Sequence, residues 1–272
     1  MRYAQKMRLV LLAALMTVLP LAAQAQAPAG STSFYDNGQL KQKVTRLPNG
    51  RDRVVESYHE NGQLMNRITY HGQQMADGEY VSYGPNGKVS SRAFLKGGRM
   101  HGLQQLFYAD GKLFQRSHFI HDQQDGEAVT LAPDGKVFAS MTWRHGEPDG
   151  WSFDSHDNGQ LAQRALYRKG KLLSMQKWGS NGQPTVAWQQ DVQGREQGDL
   201  MEWHDNGVRA SVTPMRDGQR HGLVQSWYSD GSLRQIVPYE HGKKHGVERQ
   251  WDQAGKLVLE QAWRDGQPVT SS

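Results

Sequence analysis

Two interleaved series of short glycine turns, each with a 24-residue period, run through almost the whole chain. The first series ends in Asn-Gly, Asp-Gly or a close variant, at Gly38, Gly62, Gly87, Gly111, Gly135, Gly159, Gly182, Gly207, Gly231 and Gly255. The steps between these glycines are 24, 25, 24, 24, 24, 23, 25, 24 and 24. The second series has the form Gly-x-x-x-Gly, as in Gly98-Arg-Met-His-Gly102 and Gly242-Lys-Lys-His-Gly246. Its closing glycines stand at 78, 102, 126, 150, 198, 222 and 246, and Ser174 fills the one missing slot. A strict repeat of this length limits the chain to stacked copies of one supersecondary unit.

The unit is a β-hairpin. Asn-Gly and Asp-Gly are strong hairpin signals, because glycine takes a positive φ without a Cβ clash. Turns about every twelve residues leave strands of about six to eight residues. Between turns the side chains alternate. Leu113, Gln115, Ser117 and Phe119 read as one face, Phe114, Arg116 and His118 as the other. The expected fold is all-β: an elongated single-layer antiparallel β-meander of tandem 24-residue hairpins, preceded by a signal peptide. Twenty strands at ~4.8 Å apiece would extend on the order of 95 Å.

Large side chains follow the same grid. Four residues before the first-series glycines stand Phe34, Tyr58, Tyr83, Phe107, Leu131, Ser155, Trp178, Trp203, Trp227 and Trp251. Three residues before the second turn stand Leu95, Phe119, Trp143, Tyr167, Asp191, Met215, Tyr239 and Trp263. In a meander, equivalent residues line up across the sheet as stripes. Cross-strand packing alone accounts for much of this. A single sheet leaves an apolar stripe uncovered, however, and long uncovered stripes mark interaction surfaces. The candidate partner-binding residues are therefore Tyr58, Tyr83, Phe107, Trp178, Trp203, Trp227 and Trp251. Ser155, Ser174 and Asp191 break the pattern, and the stretch from Lys171 to Ser180 is expected to bend or to form a weak unit.

The N-terminus has a basic start, an apolar run from Leu9 to Leu19, and a small-residue end at Ala23-Gln-Ala25. This is the layout of a secretory signal peptide. The run is too short for a transmembrane helix, which needs ~20 apolar residues. The expected organisation is a signal peptide over 1–25, a linker over 26–33, repeats over 34–268 and a tail over 269–272, with export to the periplasm or beyond. Arg2, Lys6 and Arg8 leave with the signal, so 29 basic face 27 acidic side chains and the mature chain carries only +2. A nucleic-acid partner then loses its compositional support. The mean hydropathy of −0.77 also argues against a thick core.

The spacing Tyr-x-x-Asn-Gly-x-Leu, continued by Tyr-x-x-Gly-x-x-x-Gly, resembles the MORN repeat in its bacterial variant form. Trp227-Tyr-Ser-Asp-Gly231-Ser-Leu and Tyr239-Glu-His-Gly242-Lys-Lys-His-Gly246 carry the likeness, which extends over about residues 34–268. The resemblance implies a twisted single-layer meander. It also implies a non-enzymatic role as a protein-interaction or assembly scaffold, with an unknown protein partner or an anionic phospholipid surface. Bacterial variant-repeat proteins include YwqK-type antitoxins, so an envelope immunity protein that binds a toxin is the alternative.

No chemistry stands apart from the repeat. There is no Gly-x-Ser-x-Gly elbow, no phosphate-binding Gly-Lys-Ser/Thr loop and no dinucleotide fingerprint. No catalytic residue, cofactor or metal is expected, and the zero cysteine count excludes disulfides and thiolate sites. His101, His221 and His245 share one repeat slot, about 10 Å apart in adjacent units, too far to share an ion held at ~2.0–2.1 Å. His241 and His245 flank one turn and are the pair placed to meet. A membrane barrel would need strands of ~9–11 residues and one set of long loops.

Overall fold

The computed structural model describes residues 30–269. The expected signal peptide, most of the linker and tail residues 270–272 lie outside that range. The chain divides into two compact units between Gly146 and Glu147. Every strand pairing within each unit is antiparallel, and consecutive hairpins follow one another in chain order. Among the described residues there is no helix. The fold is the expected all-β repeat meander.

The two turn series fold differently. In the first, His59 N–H donates to Gln63 O and Gly62 N–H to His59 O, both at 2.9 Å. Only the glycine takes a positive φ, +82° at Gly62. This is a three-residue loop, a type I turn closed by a left-handed glycine. The hairpin tips lie at Asn61-Gly62, Asn206-Gly207 and Asp230-Gly231, as the spacing predicts. In most turns of the second series both central residues are left-handed, for example His145 (+51°) with Gly146 (+80°) and Asp217 (+53°) with Gly218 (+78°). That is the two-residue type I′ turn, whose twist matches the strands it joins.

All ten first-series hairpins also carry a register shift beside the turn, between Ser57 and Tyr58, Ser82 and Tyr83, Ser226 and Trp227, and their equivalents. These are β-bulges, which raise the local twist and change which way side chains point. They correct the strand reading. Leu113 pairs with Phe107, whereas Gln115 pairs with Leu106. The bulge therefore sets Leu113 beside Phe107, on the face opposite Gln115, Ser117 and Phe119. Beyond the bulge the alternation holds: Gln115, Ser117 and Phe119 are buried, Arg116 and His118 exposed.

The closing glycines face the second stripe. Gly78 pairs with Leu95, Gly102 with Phe119, Gly126 with Trp143, Gly150 with Tyr167, Gly198 with Met215, Gly222 with Tyr239 and Gly246 with Trp263. The offset is 17 residues each time. A glycine opposite a large side chain leaves its flat surface free to lie across the strand. A Cβ at Gly246, where φ is +112°, would also approach Pro238 to 3.2 Å. The same offset joins Ser174 to Asp191, so those two departures are one lost pair. Ser174 instead pairs with Gln189 in the strand Lys171–Trp178, whose pairing with Leu161–Arg168 slips by one residue between Leu166 and Tyr167, a β-bulge in the stretch where a bend or weak unit is expected. Asp191 caps a turn of the first kind. Its carboxylate accepts the N–H groups of Arg195 and Gln193 and meets Arg195 Nε at 2.7 Å, and these bonds hold its pKa below the usual range.

Successive hairpins are stapled at both ends. On the first-series edge, the Asn side chain accepts a local N–H and donates to the next turn. Asn206 Oδ1 accepts Val208 N–H (3.1 Å), and its Nδ2 donates to Ser229 O (2.6 Å). Asn37, Asn61, Asn86, Asn158 and Asn181 do the same. Where Asp110 offers no amide, Lys112 Nζ reaches the equivalent carbonyl of Pro133. On the opposite edge the backbone serves: Gly146 N–H donates to Gln124 O, Gly218 to Glu196, Gly242 to Arg220 and Gly266 to Lys244. Asn206→Asp keeps the local acceptor and loses the donor. It is expected to cost about 1 kcal/mol in denaturant unfolding, the net value of one hydrogen bond. An unchanged midpoint would show that the staple is dispensable.

Side chains concentrate most in the N-terminal unit, where Val44, Val55, Ile68 and Tyr70 form a cluster flanked by Met75 and Tyr80. Burial, with Tyr70 and Asp77 nearby, pushes the Tyr80 hydroxyl up to about 12, and it donates to Ala76 O at 2.6 Å.

Candidate binding face

Register places the first-stripe residues of each unit on one face. Strict alternation along Gly78–Tyr83 puts Tyr83 with Val81 and opposite to Tyr80 and Ser82. The same count holds for Phe107 along Gly102–Phe107 and for Trp227 along Gly222–Trp227. Equivalent residues lie two strands apart, about 10 Å. Tyr58, Tyr83 and Phe107 form the row in the N-terminal unit; Trp178, Trp203, Trp227 and Trp251 form it in the C-terminal unit. All seven are half-buried. Their register partners are mostly aliphatic: Leu64, Val89, Leu113, Pro184, Leu233 and Leu257, with Arg209 opposite Trp203. Arg209 also lies 5.9 Å from the Trp227 ring centroid. The second stripe falls on the other face and at the other edge, so the two stripes do not merge into one surface.

The row's backbone is held by the preceding turn. Tyr35 OH donates to Tyr58 O (2.7 Å), Tyr108 OH to Leu131 O (2.6 Å) and Tyr228 OH to Trp251 O (3.0 Å). His59, His156 and His204 reach the carbonyls of Tyr83, Trp178 and Trp227 through Nε2. The sequence does mark these positions, since Tyr or His recurs directly after the stripe residue, but the reading above assigned them no role.

Beside the row the two units differ. The N-terminal unit presents Lys43, Arg67, Arg92 and Arg116 at successive equivalent positions, followed by Ser140, and the C-terminal unit has Arg164 there, then Ala187, Val212, Ile236 and Glu260. Three of the arginines make exposed ion pairs: Arg67 with Glu56 (3.7 Å), Arg92 with Glu79 (3.4 Å) and Arg116 with Glu127 (3.6 Å). Such pairs are worth ~0–1 kcal/mol. Between the turn tips at Gly87 and Gly111 lies an open groove of about 580 Å³, lined by Lys88, Arg92, Gln105 and Phe107.

The histidines pair differently from the expectation. His241 packs against His221 and not against His245; the ring centroids are 5.2 Å apart, and His101 meets His121 in the same way at 5.4 Å. His245 instead faces Asp265 at 3.5 Å. Asp77, His101, Asp125, Gln197, His221 and His245, each just before a closing glycine, reach the first left-handed residue of the next turn, which His241 and His245 within one turn cannot do. Among the described residues no three His, Asp or Glu side chains gather as a metal site would require.

Hairpins in chain order, stapled at both edges and bearing a periodic aromatic row, define a β-hairpin repeat protein. Four segments match the MORN repeat variant, at residues 31–46, 54–71, 100–121 and 220–241. No curated protein matches it. A crystal structure of TarM shares 16% identity over 44% of this chain and 20% of its own, with a TM-score of 0.21. A Photorhabdus luminescens Tc holotoxin pore shares 9% over 85% of this chain and 14% of its own, with a TM-score of 0.23. The crystal structure of TcdB2-TccC3 shares 11% over 88% and 17%, with a TM-score of 0.21. The chain spans about a fifth or less of the length of these solved chains.

Proposed function

We propose that the chain is a non-enzymatic, exported interaction scaffold that docks its partner along the aromatic-row face. One observation carries this: in each unit a row of large aromatic side chains, spaced about two strands apart, stays half-exposed on a pre-stapled backbone. A rigid row of rings offers contact area with little ordering cost. The repeat motifs account for the glycines and turn carboxylates, which leaves no separate set of residues for catalysis. Export rests on the basic, apolar and small-residue layout of residues 1–25.

Site-specific photocrosslinking in the producing cell tests the reading. A crosslinker in place of Trp203 is expected to yield one discrete adduct. A crosslinker in place of neighbouring Glu202, which points to the other face, is expected to yield none. Equal labelling from both positions, or none from Trp203, would remove the aromatic row as the docking face.

A further inference from the structure

We infer that the groove between the Gly87 and Gly111 turns binds an acidic saccharide. A ring carboxylate would lie between Lys88 and Arg92, and the sugar ring against Phe107. The inference rests on the aromatic-row face being the binding face, and it names a ligand class for the N-terminal unit.

The first argument is charge. The groove lining holds two cations and no carboxylate. Lys88 Nζ donates one hydrogen to Asp110 O (2.9 Å), which leaves two for a ligand. Two acids flank the groove: Asp110, beside Gly111, pairs with Lys112 at 3.7 Å, and Glu79 pairs with Arg92 at 3.4 Å, about half exposed on both sides. An incoming anion can displace so weak a partner.

The second argument is shape. Phe107 gives the groove a flat apolar wall suited to the C–H face of a pyranose. Gln105, directly opposite Arg92 in register, supplies both a donor and an acceptor for hydroxyls. The volume of about 580 Å³ holds a sugar or two but is ill-matched to a bare ion. Both tips are glycines in the left-handed region, and the Lys88 side chain passes over the one at Gly111.

The third argument is singularity within a repeat. One period earlier the four positions read Gln63, Arg67, Val81 and Tyr83; one period later they read Lys112, Arg116, Val129 and Leu131. In the N-terminal unit, lysine, arginine, amide and aromatic ring coincide only here. Turn formation needs none of the four, since the Asn86 side chain and the glycines make the turn. A uronate is favoured over an acidic peptide because its carboxylate is fixed to the ring, so charge and ring can be engaged together.

The test is calorimetric titration of the mature chain with trigalacturonate, alongside maltotriose, inorganic phosphate and hexaglutamate. Thermal melting confirms that each variant is folded. Trigalacturonate is expected to bind and maltotriose not to. Arg92→Ala should weaken binding about tenfold, and Glu79→Gln, which frees Arg92, should tighten it about threefold. Phe107→Leu should weaken the saccharide while leaving any phosphate binding unchanged. No trigalacturonate binding at millimolar concentration would overturn the inference. So would equal binding of maltotriose, or hexaglutamate or phosphate binding as tightly as the saccharide. The Trp203 crosslinking experiment reads the other unit, so the scaffold proposal and the saccharide proposal can fail separately.

Discussion

Lys244→Met is expected to destabilise the C-terminal unit by about 3 kcal/mol at pH 7, the lower end of the cost of breaking a buried ion pair. Its partner Glu248 is 3% exposed, and Lys244 Nζ lies 2.5 Å from Glu248 Oε2. Gln235 and Gln250 donate to the other carboxylate oxygen at 2.8 and 3.0 Å. Lys244 also sits 4.3 Å from the Trp263 ring centroid, so the change removes a cation–π contact as well. The lower end applies because Lys244 keeps some contact with water, 29% of its side chain.

The pH dependence follows from the same geometry. Burial pushes Glu248 up, but the bonds from Lys244, Gln250 and Gln235 outweigh it, and the net pKa lies below the ordinary glutamate value. A depressed folded-state pKa contributes stability above the unfolded value, about 4.3, and that stability is lost as pH falls through the folded value. Without Lys244, burial dominates and the folded pKa rises above the unfolded one. The penalty in the variant should then be largest near neutral pH and shrink as Glu248 protonates. Urea midpoints at pH 7 and pH 4 measure this; a penalty independent of pH would mean that the ion pair does not carry the effect. Replacing Lys244 and Glu248 together with methionine should restore most of the loss, because no lone charge is left buried.

Ile68→Ala is expected to cost the N-terminal unit about 3 kcal/mol, within the range for truncating a buried isoleucine. Ile68 is 5% exposed, pairs with Val55, and sits in the cluster with Val44 and Tyr70. In a chain of hairpins each unit rests on its neighbours, so the damage should be local. Hydrogen exchange should accelerate most in Leu40–Arg46 and Asp52–Tyr58 and least in Gly102–Phe107. Uniform acceleration across the unit would show that it unfolds as one block and lacks repeat-like locality.

Much of the architecture was legible in the chain itself because its causes are local. Gly62, Gly207 and Gly231 mark hairpin tips, since only glycine enters the left-handed region there without strain. The period-two pattern through Gln115, Ser117 and Phe119 is a strand property that needs no distant partner. The pairing of each closing glycine with the residue 17 positions later is equally present in the sequence. Read that way, Ser174 and Asp191 become one substitution in a pair instead of two faults. The candidate row was legible as a period, but its placement on one face, opposite the second stripe, was not.

What one period of sequence contains is a hairpin, and that much follows from residue spacing alone, because turn geometry and strand alternation act over a few neighbours. What lies between periods was settled only in three dimensions. The bulge that moves Leu113 across to Phe107, the reach of Asn206 to Ser229, the meeting of His221 with His241 and the convergence of Lys88, Arg92, Gln105 and Phe107 all join residues about 13 to 24 positions apart, or depend on how adjacent strands slip past one another. Register and twist set those distances. Both arise from the packing of whole strands, which no single turn or strand specifies.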